Sequence, residues 1–349
     1  MTIDGCCSHL NISFGGRAIC AESRTATNVD TLIRSPRTTT GNSMPAPLFI
    51  VGTARSGTSW AFDLIASHPD MSMGFESKLP LEGYELYKQF GLISSQVDLQ
   101  QLFRQLQEQI KDPMNTELYG LLTKPEVLEA AWSAFQDNPG WAAICEAIFC
   151  SLKTTTHWGN KTLRIETTPA LLELWPDCKF IVLTRDPRAV VASQEVKFDT
   201  SVAYSATYWL THADWVLSRI TNDSRYFVVD LTAMATDPRP TLEWAFTQTG
   251  LSHEPTEQLI ADHPGDPARL EKWHTTLSAD RQRKVEEYCF APMARLGYQP
   301  ELATKHREIN KLHRLWLVAS FHGHDLLQDP GGIRRKQVFK RLGAVLGNK

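Results

Sequence analysis

Short apolar runs closed by glycine, proline or charge recur along the chain. Leu48-Phe49-Ile50-Val51, Met71 to Phe75, Lys179-Phe180-Ile181-Val182-Leu183-Thr184 and Tyr226-Phe227-Val228-Val229-Asp230 each predict a buried strand. Between them apolar positions recur at helical spacing. Residues 58–67 carry Ala61, Leu64 and Ile65 on one face, and a helix from Pro187 carries Val190, Val191 and Ser193. Residues 203–220 line up Trp209, Ala213, Val216 and Ile220, and 282–296 form a last helix closed by Gly297. Residues 80–150 are helical in pattern and rich in aromatic residues. They read as an insertion after the second strand, most of its aromatics forming its own core and a few lining a substrate pocket. Residues 157–161 read as the approach to a helical stretch near 169–174. Strands alternating with helices predict an α/β fold, a central parallel sheet covered by helices on both faces.

The two ends fall outside this alternation. Residues 1–45 show no sustained period, and 23–43 are rich in Ser and Thr, so a flexible N-terminal extension is expected. Residues 46–300 form the expected domain. Residues 301–349 hold ten Lys or Arg against four Asp or Glu, a basic C-terminal extension in which 333–346 suits a short amphipathic helix.

Composition removes several classes of function. A net charge of −3 over 349 residues gives no global attraction for nucleic acid or an anionic surface. Seven cysteines without metal-ligand spacing suit reduced thiols in a cytoplasmic compartment better than a disulfide frame. No apolar run approaches the ~18 residues of a membrane span, and no basic stretch followed by an apolar one opens the chain, so cytoplasmic localisation is expected.

The chemistry concentrates after the first strand. In Gly52-Thr53-Ala54-Arg55-Ser56-Gly57-Thr58-Ser59-Trp60 two glycines five apart frame a turn that opens a helix. Strand, turn and helix N-terminus together make an anion cradle of backbone N–H groups. The spacing is that of a phosphate-binding loop, yet the position of its lysine is held by Thr58, and Arg55 is the only cation in the loop. A nucleotide triphosphatase uses that lysine and a metal to neutralise the transferred group. A sulfuryl group carries less charge, so a loop with one arginine and no dedicated metal site could suffice for it.

Here the chain resembles the PAPS-dependent sulfotransferases, closest in motif pattern to the bacterial and tyrosylprotein types, whose loop reads [KR]-S-G-T-[ST], often followed by Trp. Arg55-Ser56-Gly57-Thr58-Ser59-Trp60 matches at every position. The resemblance implies that Arg55, Ser56, Gly57, Thr58 and Ser59 hold the phosphosulfate of PAPS and that Trp60 stacks on its adenine. It also implies that Arg185 and Ser193, an arginine at a strand end and a serine eight residues on, grip the 3′-phosphate. Glu76, 21 residues beyond Arg55, falls where these enzymes place a general base. Lys161, in Trp158-Gly159-Asn160-Lys161-Thr162, resembles the family's W-G-[DN]-K-[TS]-P cation, with Leu163 in place of the proline. With Arg55 it would stabilise charge on the leaving phosphate oxygen. Arg269-Leu270-Glu271-Lys272-Trp273 and Leu296-Gly297-Tyr298 resemble the closing segment, so the likeness spans about 47–300.

The expected activity is sulfuryl transfer from PAPS to a hydroxyl or amine, with Glu76, Arg55 and Lys161 catalytic and no metal. The acceptor is expected to be a small soluble metabolite or natural product, with no nucleic-acid partner. His157 is the second candidate for the base, since the cytosolic enzymes use a histidine, although their Lys-Thr-His-Leu-Pro run is absent. A P-loop kinase or ATPase and a non-catalytic nucleotide binder are the alternative readings. Thr58, and a strand ending in Arg185-Asp186-Pro187 rather than a metal-binding aspartate, count against the kinase.

Overall fold

The computed structural model describes residues 45–309 except 111, 221 and 222, together with Leu312. The N-terminal extension up to residue 44 and the amphipathic stretch at 333–346 lie outside the described residues. Five strands, β1 (Leu48–Gly52), β2 (Met71–Phe75), β3 (His157–Thr162), β4 (Lys179–Thr184) and β5 (Tyr226–Asp230), form one sheet in the order β2-β3-β1-β4-β5. Every pairing is parallel, so all five strands end on one edge.

Alternation along the strands divides the core into two layers. Phe49, Val51, Phe180 and Val182 face one side, and Leu48, Ile50, Ile181 and Leu183 face the other. The second side is covered by α1 (Thr58–Ala66) and, further along the chain, by helices at Arg239–Thr249 and Thr256–Asp262. The first side is covered chiefly by the long connection from β2 to β3. That connection holds α2 (Tyr84–Phe90), α3 (Gln96–Gln109), α4 (Thr116–Leu121), α5 (Pro125–Asp137) and α6 (Trp141–Cys150). Of its nine aromatics Phe103, Tyr119, Trp141 and Phe149 are buried and the other five half-buried, all in a core shared with the sheet rather than one of their own. After α7 (Thr168–Leu174), α8 (Pro187–Phe198) and α9 (Val202–Arg219) pack with the final long helix, Ala279–Arg295, around Val191, Trp209, Ala213, Val285 and Cys289.

Two expectations change. Residues 157–162 are not an approach to a helix but a strand, placed between β2 and β1. Trp158 anchors it, buried with its ring 4.7 Å from Phe149, 5.1 Å from Trp175 and 5.8 Å from Phe49. Gly159 lets β1 come close, because a Cβ there would run into the Leu48 carbonyl oxygen. β5 is an edge strand and only half-buried, with Val228 40% exposed. Residues 301–303 of the C-terminal stretch are tied down: their backbone N–H groups donate to the Glu286 carboxylate, which is fully buried.

Candidate functional site

The turn between β1 and α1 is shaped by two residues in left-handed backbone conformation. Gly57, at φ 88°, is the N-cap of α1 and brings no side chain to that helix terminus; Arg55 has φ 74°. A Cβ on Gly57 would collide with the Leu231 side chain. No acidic residue occupies the first turn of α1, so its N–H groups face the loop without an internal anion. Thr53, Ser56 and Thr58 are buried, and Ser56 ties the turn by donating from Oγ to the Thr53 carbonyl at 2.7 Å. Thr58, where a nucleotide triphosphatase has lysine, is 3% exposed and packs by Gly52.

On one flank stand the cations of β4 and the loop. Arg55 Nε donates to Ser193 Oγ at 2.8 Å. Arg185, just past β4, donates from its two terminal nitrogens to the Arg55 carbonyl at 2.7 Å and the Arg269 carbonyl at 3.1 Å. Gln194, the residue after Ser193 on α8, donates to the Ala54 carbonyl at 3.1 Å. Burial, and then the adjacent Arg55 cation, weaken the hold of Arg185 on its proton. Among the described residues neither guanidinium lies within ion-pair distance of a carboxylate. Two neighbouring cations without a counter-ion make a place for an anion. Asp186 serves another purpose: it caps α8 and pairs with Arg188, which also reaches Glu286.

On the other flank β2 and β3 bring Glu76 and Lys161 together. Lys161 Nζ contacts Glu76 Oε1 at 2.5 Å, donates to Ser59 Oγ at 3.3 Å and lies 3.8 Å above the Phe75 ring. The lysine side chain is 2% exposed and that of Glu76 33%. Burial pulls the Lys161 ammonium below its ordinary pKa, and the hydrogen bond and charge of Glu76 oppose the shift. Glu76 does not pair with Lys78, two residues on, which turns to Asp112 at 3.5 Å. Its backbone is left-handed, φ 54°, and its N–H donates to the Lys161 carbonyl at 2.9 Å.

Trp60 donates its indole N–H to the His263 carbonyl at 2.9 Å and packs with the core side of α1. This ties the loop helix to the segment 263–269, whose Arg269 carbonyl meets Arg185. The Arg269 side chain itself is 83% exposed and pairs with Asp266. His157 stands at the opposite end of the sheet from these groups. It opens β3, four residues before Lys161, which at ~3.3 Å per residue is roughly 13 Å away. His68 is buried and bonded to the Ser252 carbonyl, a structural role. Among the described residues no cluster of three or more His, Cys, Asp or Glu side chains is arranged to hold a metal ion.

Sequence reasoning gave no role to Asn160 or Asn115. The first pairs by its side-chain amide with the backbone of Ser77, the second with that of Phe75. Asn160 carried a signal in its place beside Lys161; Asn115 carried none.

Residues 47–255 match the model of a sulfotransferase family. Among solved structures the chain is similar to the sulfotransferase domain of the Synechococcus PCC 7002 olefin synthase, at 22% identity over 70% of this chain and 96% of that one, TM-score 0.44. It is similar also to the sulfotransferase domain from the curacin biosynthetic pathway, at 14% identity over 74% and 99%, TM-score 0.44. A third is sulfotransferase STF1 of Mycobacterium tuberculosis H37Rv, at 17% identity over 70% and 76%, TM-score 0.37. A comparison with curated proteins finds no match. With the family model covering well over half of its length, the chain belongs to the sulfotransferase family and is a sulfotransferase enzyme.

Proposed function

We propose that the enzyme takes its sulfuryl group from PAPS and passes it to a hydroxyl or amine of a small-molecule acceptor, with Glu76 as general base. The observation that carries this reading is the division of labour around the loop. The unpaired cations Arg55 and Arg185 stand on one flank with Ser193, and the Glu76–Lys161 pair stands on the other, joined to the loop through Ser59.

The residues present fit such a donor. The first turn of α1 and the hydroxyls of Ser56, Thr58 and Ser59 suit its 5′ phosphosulfate, and Arg185 with Ser193 suits the 3′-phosphate. Hydrogen bonds to a charged group contribute ~1.5–3 kcal/mol each, so several hold the donor without a metal. PAPS supplies the sulfur–oxygen bond that breaks, leaving adenosine 3′,5′-bisphosphate as the acceptor's new bond to sulfur forms. Glu76 takes the acceptor proton, an effect of about 10²–10⁴ in rate. The exposures favour that order of events: an incoming O–H reaches the part-exposed carboxylate before the buried ammonium behind it. Lys161 then faces charge on the donor side, with Arg55 near enough to oppose its protonation.

Calorimetry with adenosine 3′,5′-bisphosphate and with ATP, each with and without Mg²⁺, tests the donor. Binding of the bisphosphate that is independent of Mg²⁺ and stronger than that of ATP is expected; indifference to it at millimolar concentration overturns the reading. The Glu76→Gln enzyme tests the base and is expected to bind the bisphosphate normally while losing turnover. Mass spectrometry for a sulfonated product, in cells with and without the protein, identifies the acceptor.

A further inference from the structure

Glu76 holds a backbone conformation that residues with a side chain adopt only when their surroundings impose it. What imposes it is visible on both sides of the residue. The Phe75 N–H donates to Asn115 Oδ1 at 3.1 Å, and Asn115 Nδ2 donates back to the Phe75 carbonyl at 2.7 Å. The Ser77 N–H donates to Asn160 Oδ1 at 3.1 Å, and Asn160 Nδ2 donates back to the Ser77 carbonyl at 3.0 Å. We propose that Asn115 and Asn160 are positioning residues for Glu76: two amide clamps, on the residue before it and the residue after it, that aim its carboxylate at the reacting acceptor. The proposal rests on the reading of Glu76 as the base.

Both amides are buried, 6% and 3% exposed, so their bonds do not compete with water. A primary amide is the neutral side chain that presents a donor and an acceptor side by side, as a peptide group does. Each asparagine therefore stands in for a neighbouring strand. They approach from different parts of the chain, Asn160 from β3 and Asn115 from the turn before α4. Closing the free edge of β2 would require only Asn115, because Phe75 is the last residue of the strand and Ser77, which Asn160 holds, lies beyond it. A clamp on both, with the Glu76 N–H itself held by the Lys161 carbonyl, fixes the one residue between. Gly74 fits the same arrangement, since a Cβ there would come within 2.7 Å of Asn160 Oδ1.

The test compares Asn115→Ala, Asn115→Asp, Asn160→Ala and Asn160→Asp, each alone and with Glu76→Gln, in the full-length chain. The aspartates keep the volume but lose the donor, which guards against a variant that does not fold. Turnover is read as adenosine 3′,5′-bisphosphate released from PAPS with water as the probe acceptor, and donor binding as the calorimetric affinity for the bisphosphate. Each single variant is expected to lose about 10–100-fold in turnover with bisphosphate affinity unchanged within about twofold. Added to Glu76→Gln, the same substitutions are expected to cost less than about twofold more, because residues acting through one group are not additive. An equal further loss in the Glu76→Gln background, a parallel loss of bisphosphate affinity, or unaltered turnover in the single variants overturns the clamp. Full turnover in Glu76→Gln alone would instead overturn the base.

Discussion

The guanidinium of Arg55 and the hydroxyl of Ser193, 138 positions apart in sequence, meet at 2.8 Å. The contact joins the loop after the first strand to the helix after the fourth, so the two ends of the proposed donor site are in touch. Removing the hydroxyl separates what each end binds. Ser193→Ala is expected to weaken adenosine 3′,5′-bisphosphate by roughly tenfold, the scale of one hydrogen bond to a charged group, and to leave adenosine 5′-monophosphate almost untouched. Calorimetric titration of both nucleotides checks it, and an equal loss for the two would place Ser193 away from the 3′-phosphate.

Lys161 lends itself to a substitution that preserves packing. Its ammonium lies over the Phe75 ring, so Lys161→Met keeps an apolar contact there and removes the charge beside Glu76 and Ser59. Turnover is expected to fall by about 10²–10³, the scale seen when one group stabilising transition-state charge is removed. Bisphosphate affinity should change far less. Steady-state kinetics with calorimetry on the same preparation decides, and a variant with normal turnover would remove Lys161 from the chemistry.

Gly159 tests whether β3 is needed where it lies. A methyl group there meets the backbone of β1 rather than a side chain that can turn aside. Gly159→Ala is expected to cost about 1–3 kcal/mol, read as a lower midpoint in urea unfolding. Gly120→Ala, where an added Cβ meets nothing within 4 Å, is the matched control.

His212 gives the fold a pH dependence of known sign. It is buried on α9, and burial, opposed in part by the Leu183 backbone, holds its pKa down to about 4. An unfolded chain protonates the same ring near 6.5, so between those values the unfolded state binds the extra proton. This contribution is therefore absent above about pH 6.5 and grows as pH falls, to a loss of about 3 kcal/mol once the pH is below 4. Urea unfolding at pH 7 and pH 4.5 is expected to show a smaller difference in His212→Leu than in the wild type. An unchanged difference would mean that the ring takes up its proton without unfolding.

The sheet could be read from sequence wherever the strand residues were apolar. β1, β2 and β4 are runs that water would leave anywhere, and their alternation alone assigns Phe49 and Leu48 to opposite layers. β3 escaped because its strand character is tertiary. His157-Trp158-Gly159-Asn160-Lys161-Thr162 contains no aliphatic residue, and its polar side chains are buried only because Ser77 and Glu76 satisfy them. That Arg185 and Ser193 would stand by the loop was an expectation of the family resemblance, and the structure brings the three together. The carboxylate's partner was not legible: Lys78 and Arg55 stand nearer in sequence, yet parallel pairing of β2 with β3 sets Phe75 opposite Lys161. Asn115 was beyond reach for the same reason, a residue 40 positions from the Phe75 backbone it serves.

That last distance bears on how the enzyme could be refitted for another acceptor. The helices between β2 and β3 begin and end on neighbouring strands, so a designer would treat them as an exchangeable cassette. Yet through Asn115 the cassette returns one amide to the strand it has just left, next door to the carboxylate. A graft that omits it would carry its new helices to a sheet whose proposed base had come loose, and the transplant would bind without turning over.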